Sequence, residues 1–307
     1  MIEMENLTKH YEDLVAVDGI TLQVAAGEVL ALLGPNGAGK TTTVRMLSAI
    51  LQPTAGRARI AGLDVVTQAR EVRRVVGMLT EAPGLYTRMT GREYLEFFAA
   101  MYGVPAATTQ KRMRELAERF EMTEALDRRL GYYSKGMAQK IALIRTLVHD
   151  PQVLLLDEPT SAMDPQSARL VRNTILELRR ERRTLIVCTH NLPEAEELAD
   201  RIAIIRKGRI VTHGTLPELK RQLLGAPLME LRWLAPPHNG VLERIRALVP
   251  VQQLAPEGMR YVAEHPEQVN PLILRYLHEA EVPVLALSEV PRNLEAVYLR
   301  VVGEVAA

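Results

Sequence analysis

Three stretches of this chain have the residue types and spacing for phosphoryl chemistry. Gly34, Pro35, Asn36, Gly37, Ala38, Gly39, Lys40, Thr41 and Thr42 form G-x-x-x-x-G-K-T. The apolar run Val29–Leu33 precedes them, and Thr43–Leu47 continues at helical spacing. Glycines let successive backbone N–H groups turn inward around phosphate oxygens, and a helix start adds its positive dipole end. Lys40 can reach β and γ phosphates, and the Thr41 hydroxyl can stand on Mg²⁺. The second stretch is Val153–Leu156, a wholly apolar strand ending in Asp157-Glu158-Pro159. Two carboxylates at the mouth of a buried strand are costly unless they do chemistry or hold a metal. Asp157 can hold Mg²⁺ through its water shell, and Glu158 can orient or polarise an attacking water. The third is the apolar strand Thr184–Thr189 closing on His190. Its imidazole can bond a γ-phosphate, although a lone histidine at a strand end is more often structural.

These groups need a parallel sheet with helices to converge them, and the chain supplies both patterns. Strands are expected at Ile2–His10, Gly19–Val24, Glu28–Leu33, Arg57–Ile60 and Val75–Leu79. Tyr11 follows the first; it reads equally as a stacking partner for a purine or as a half-buried edge tyrosine. Val44–Leu51 should complete the helix after the glycine-rich loop, and residues 80–86 read as a loop. From Thr90 to about His149 the period is helical, with amphipathic segments at Gly91–Tyr102 and Gln110–Phe120. The stripe Tyr94, Phe97, Phe98, Met101, Tyr102 reads as a small core. Ser134 has the position of an N-cap, with Lys135 and Gly136 leaving backbone donors at a helix start; taken alone, this is a capped helix. Gln166–Arg180 should be a helix with a solvated Arg-rich end at Arg179–Arg183, followed by a helix at Leu192–Asp200. Ile202–Arg206 and Arg209–His213 read as a hairpin.

The character changes after Gly214. A connector over residues 215–226 leads to a β-α-β-β-α-β order over 227–307, closing on a helix at Leu294–Val302. That order suggests a small ferredoxin-like α+β unit. Its histidines, His238, His265 and His278, lie in settings too different to argue for a metal site.

Composition limits the alternatives. The chain has 307 residues, enough for two domains, with 47% hydrophobic and 24% charged residues. A net charge of +1 gives no global argument for nucleic acid or an anionic membrane. The single cysteine, Cys188, sits in a buried-strand pattern and reads as structural. The N-terminus lacks a signal-type apolar core, and no window approaches the roughly 18 apolar residues of a membrane span. A cytoplasmic protein is expected, with any membrane role exercised through another chain.

In this order, and with Tyr11 and Tyr133-Ser-Lys-Gly-Met137 added, the motifs resemble the ATP-binding cassette of transporter ATPases over about Ile2 to Gly214. The resemblance implies an α/β fold: a P-loop domain with a mixed sheet, an antiparallel β part and a helical subdomain at about 87–150. It implies that Tyr11 stacks on adenine, that Asp157 and Thr41 serve Mg²⁺, and that Glu158 and His190 are catalytic. Glu81 stands where the family usually has a Mg²⁺-sensing glutamine, so it adds negative charge beside the triphosphate. Residues 133–137 would be the signature, and Ser161-Ala-Met-Asp164 the loop joining two sites of a dimer. The resemblance reverses the local reading of Ser134: Ser134 and Gly136 would complete the nucleotide site of a second copy, with two ATP held head-to-tail. The signature is Y-S-K-G-M rather than the commoner L-S-G-G-Q. Both departures are similar to those of ATPase subunits of bacterial exporters with separately encoded membrane subunits.

The expected function is therefore a Mg²⁺-dependent ATPase that forms a homodimer on ATP and drives a separate permease from the inner face of the membrane. A soluble cassette acting on ribosome or nucleic acid is the first alternative. The single cassette, near-zero charge and lack of a basic tail count against it, and no nucleic acid is expected. A regulatory ATP sensor is the second, and retention of Glu158 and His190 counts against that. Partner contact is expected near Glu81–Tyr86 and the helical segment.

Overall fold

The computed structural model describes residues 1–161 and 163–303. The chain divides into two compact units, Met1–Leu216 and Pro217–Ala307.

The first unit begins with strands β1 (Ile2–Tyr11), β2 (Leu14–Val24) and β3 (Val29–Leu33). Helix α1 (Lys40–Leu47) follows the glycine-rich loop, then β4 (Ala55–Ile60), β5 (Leu63–Asp64), α2 (Ala69–Val75) and β6 (Val76–Leu79). A helical segment contains α3 (Gly91–Met101), α4 (Ala106–Arg119) and α5 (Lys135–Leu147). The chain returns to the sheet with β7 (Val153–Asp157), α6 (Pro165–Arg180), β8 (Thr184–Thr189), α7 (Leu192–Leu198), β9 (Arg201–Arg206) and β10 (Arg209–Gly214).

Two sheets result. One is antiparallel, in the order β2-β1-β4-β5. The other runs β10-β9-β3-β8-β7-β6 and is parallel except for β10. Every residue of β3, β7 and β8 is buried, as the near-continuous apolar runs of a doubly covered parallel sheet require. The two-residue period divides them between two cores. Leu30, Leu32, Leu155, Ile186 and Cys188 pack with β1, β2 and α1. Val29, Leu154, Leu156, Leu185 and Val187 pack with the helical segment and α6. Cys188 is fully buried, and that burial pushes its thiol well above its ordinary value.

Local chemistry corrects several expected boundaries. The helix after the loop ends at Leu47, not Leu51, because Ala49 takes a left-handed φ of 55° and its N–H returns to the Met46 carbonyl. β2 begins five residues before Gly19, and the short α2 occupies a stretch where no helix was expected. The aromatic stripe is not one small core. Tyr94 is wholly buried, whereas Phe97 and Met101 are 41% and 69% exposed. The Arg-rich end of α6 is only partly solvated: Arg179 pairs with Asp200, and Arg183 with Asp150 and Glu181.

The second unit begins within α8 (Leu216–Leu224) and contains β11 (Leu228–Trp233), α9 (Asn239–Leu248), β12 (Val251–Ala255), β13 (Gly258–Val262), α10 (Pro266–Glu279), β14 (Val284–Glu289) and α11 (Leu294–Gly303). Its sheet has the order β12-β13-β11-β14, and every neighbouring pair is antiparallel. Met229, Leu231, Trp233, Met259 and Tyr261 alternate onto the face shared with α9 and α10 residues Ile245, Ile273 and Leu277.

Candidate nucleotide-binding site

The ends of β3, β7 and β8 bring the three chemical stretches together. The loop after β3 turns into α1 at Gly39, where φ is 107°. A side chain at Gly39 would place a Cβ 2.5 Å from the Ala16 carbonyl oxygen, so conformation and space both demand glycine. A second lock is the Gly208 N–H, which donates to the Ala38 carbonyl at 2.9 Å. The loop is thus held between β2 and the β9–β10 turn.

Lys40 is buried, and its ammonium donates to the loop's own carbonyls at Gly34 (2.7 Å) and Pro35 (3.3 Å). It also stands 3.8 Å from Glu158 Oε1. The Thr41 hydroxyl donates to Asp157 Oδ2 at 2.7 Å, while Oδ1 is buried without a hydrogen-bond partner. Burial raises the Asp157 carboxyl above its usual range; the Thr41 bond opposes this, and the charges of Glu158 and Glu81 reinforce it. A buried carboxylate with one idle oxygen beside a threonine hydroxyl and a second carboxylate fits a hard divalent cation such as Mg²⁺. Glu81 contributes to the same wall.

Glu158 adopts a left-handed φ of 50°, which costs a non-glycine residue about 1–2 kcal/mol. The surrounding bonds enforce it. Its N–H donates to the Cys188 carbonyl at 2.9 Å, and its own carbonyl accepts from Ser161 N at 3.2 Å and Gln139 Nε2 at 3.4 Å. The turn aims the carboxylate at His190, whose Nδ1 lies 2.9 Å from Glu158 Oε1. Strain of this kind concentrates where geometry serves chemistry.

A cavity of about 620 Å³ opens over these groups, lined by Tyr11, the glycine-rich loop, Glu81, Asp157 and Glu158. Tyr11 is 41% exposed at the end of β1, so its ring is available to a ligand. Ser134 and Gly136 are not among the described residues that line the cavity. Ser134 does cap α5, accepting from the Met137 N–H at 3.2 Å. Gln139 on the same helix reaches the Glu158 backbone, which ties the start of α5 to the carboxylate turn. Of the expected inter-site loop, Ser161, Met163 and Asp164 are described, with Asp164 capping α6, while Ala162 lies outside the described residues.

Residues 17–161 match the family described as ABC transporter. The chain is 38% identical over 224 residues to the ABC transporter ATP-binding protein NatA of Bacillus subtilis, covering 71% of this chain and 91% of that one. It is 33% identical to the Nod factor export ATP-binding protein I of Burkholderia lata, over 98% of this chain and 97% of the relative. The chain belongs to the ABC transporter ATP-binding protein family. A solved ATP-binding subunit of an ABC transporter superposes with a TM-score of 0.69 at 29% identity, covering 73% of this chain and 94% of that structure. As an ABC transporter ATPase, the chain binds ATP through this cassette.

The ABC site also has walls that no sequence motif marks. Leu14, Val15 and Ala16 on β2 and Lys207 on the β9–β10 turn also line the cavity. Arg145, on α5, donates to the Met78 and Pro83 carbonyls and to the Tyr94 hydroxyl. It therefore fastens the two ends of the Glu81 segment to α3. None of these residues carries a local motif; pairing across the fold places them. Among the described residues, no helix is long and apolar enough to cross a membrane.

Proposed function

We propose that this chain is the ATP-hydrolysing subunit of an exporter, dimerising on ATP and powering a separately encoded permease. The observation that carries the reading is the convergence of Lys40, Thr41, Asp157 and Glu158 in one cavity wall, with His190 in contact with Glu158. Tyr11 stacks on the adenine, and the Gly34–Thr42 backbone surrounds the phosphates. On ATP entry the Lys40 ammonium exchanges its loop carbonyls for β and γ phosphate oxygens. Glu158 orients the attacking water and takes up its proton, and His190 steadies Glu158 and the γ-phosphate. Mg²⁺, held by Thr41, Asp157 and Glu81, would neutralise developing phosphate charge.

Ser134 and Gly136 stand apart from the cavity wall, which favours their use on the nucleotide of a second copy. ATP then favours the closed homodimer by contacts that hydrolysis removes, and the pair opens again. The permease docks a cytoplasmic helix in the groove of about 240 Å³ lined by Ile50, Met78, Phe98 and Tyr102. Exposed Phe97, Met101 and Tyr86 on α3 and the Glu81–Tyr86 loop extend its apolar rim. Docking would hold the chain at the inner membrane face.

The export direction follows the Burkholderia lata relative, which is an export ATP-binding protein and matches nearly the full length. We read 1–214 as the ATPase domain with a helical subdomain at about 87–150, 215–226 as a connector, and 227–307 as an accessory domain. The 12-13-11-14 strand order supports a ferredoxin-like fold for the last. Affinity purification from membranes tests the whole reading: a multi-span protein should copurify in an ATP-sensitive complex, and copurifying ribosomes or DNA in its place would refute it.

A further inference from the structure

Glu194 is one of the few buried carboxylates of the first unit, 2% exposed in α7, and no motif includes it. Both its oxygens are taken by hydroxyls, one from the turn after β7 and one from the last residue of β8. Thr160, two residues beyond Glu158, donates to Oε1 at 2.6 Å, and Thr189, the residue before His190, donates to Oε2 at 2.7 Å. The chain on the other side of His190 joins the same network: Asn191 N–H donates to Thr189 Oγ1 at 3.0 Å, and Glu194 N–H donates to Asn191 Oδ1 at 3.2 Å. His190 itself has a side chain that is 60% exposed, and its ring meets Glu158. Packing therefore fixes the ring little; the backbone on both sides of it sets its place.

We infer that Glu194 is a positioning residue, clamping the His190 turn and the Thr160 segment into one unit so that His190 is presented to Glu158. The inference rests on the catalytic reading of Glu158 and His190 given above. A role confined to holding α7 does not require a carboxylate. Asn191 already caps that helix, and burying a carboxylate against two neutral hydroxyls is costly compared with an apolar side chain. What a carboxylate supplies is two acceptors that bridge the Thr160 turn and the end of β8, with directional bonds that fix their spacing. Thr160 adjoins Ser161, the start of the segment expected to join paired sites. The clamp therefore also ties that segment to the histidine turn.

The test uses the full chain and separates turnover from binding and from stability. Glu194→Ala should lower kcat by about 10–100-fold, the usual loss when an outer orienting group is removed. Nucleotide affinity and KM should stay within about 2-fold. Glu194→Gln should recover to within about 3-fold of the native kcat, because an amide and two rotatable hydroxyls can rebuild both bonds. A kcat within about 2-fold in Glu194→Ala, or a glutamine variant as slow as the alanine one, would overturn the inference. If the alanine variant does not fold, Thr160→Val, which removes one hydroxyl at constant shape, decides: a lowered kcat at unchanged affinity supports the clamp and an unchanged kcat refutes it. Glu158→Gln is measured alongside. Normal hydrolysis in that variant would sink the catalytic reading itself, whereas an inactive Glu158→Gln with an active Glu194→Ala would sink only the clamp.

Discussion

Thr41 Oγ1 and Asp157 Oδ2, 116 residues apart in the chain, are joined by a 2.7 Å hydrogen bond that leaves Asp157 Oδ1 buried and unpartnered. The start of α1 and the end of β7 are thereby held as one cation-ready edge. Magnesium should raise the thermal stability of the native protein at pH 7.5, where Asp157 is strained by burial and by Glu158 and Glu81. The sign follows from the raised carboxyl: in the metal-free protein its ionisation opposes folding as pH rises through the folded-state value, and a cation offsets that opposition. Asp157→Asn should lose the magnesium-dependent increment, with apparent metal affinity down about 10–100-fold. Thermal unfolding with and without chelator reads both.

Glu158→Gln keeps the shape of the side chain and its reach to His190 but removes the carboxylate proposed as proton acceptor. Turnover should fall by about 10²–10⁴-fold while ATP binding survives. Size-exclusion chromatography with ATP should then show an accumulated dimer. Turnover at the native rate would show that the proton acceptor lies elsewhere.

Ser134→Arg places a bulky cation at the N-cap of α5. The lost Met137 bond costs about 1 kcal/mol, too little to unfold the domain. ATP-driven dimerisation should vanish, whereas nucleotide binding to the monomer should persist. Equal loss of both would mean that Ser134 serves its own chain's fold.

Tyr11→Ala should weaken ATP binding by about 1–3 kcal/mol, or about 5–150-fold in Kd, if the ring stacks on adenine. Tyr11→Trp should retain most of the affinity. Calorimetric titration distinguishes these outcomes from an edge tyrosine, for which the alanine variant would bind normally.

His149 supplies a pH prediction away from the site. Its Nε2 donates to the Val76 carbonyl at 3.0 Å, so Nδ1 is the bare nitrogen, buried without a partner, and the ring stacks on Tyr102 at 3.8 Å. Burial holds its pKa down to about 4, against an ordinary 6.5. The unfolded chain therefore binds the proton more readily between those values. Stability is fully present above pH 6.5 and is lost as pH falls toward 4, by about 3 kcal/mol from this residue. Urea midpoints measured at pH 7.5 and 4.5 should converge in His149→Phe relative to the native protein.

Short-range chemistry made much of this legible in the sequence. The glycine-rich loop, the apolar strands ending in Asp157-Glu158 and His190, and the Ser134 cap depend on neighbours within a few residues, so residue type and spacing reveal them. Only the tertiary structure decided what depends on distant partners. Glu194 lacks a motif because its meaning comes from Thr160, 34 residues earlier, as well as from Thr189. Lys207 and Val15 reach the cavity through strand pairing, and Arg145 reaches the Glu81 segment through carbonyls more than 60 residues away. The aromatic stripe divides because α3 turns Tyr94 inward and leaves Met101 outside, a choice made by packing partners rather than by period. The sequence by itself determined which atoms can do the chemistry. The fold decided which of them meet, since burial and long-range hydrogen bonds select among the many pairings that local patterns allow.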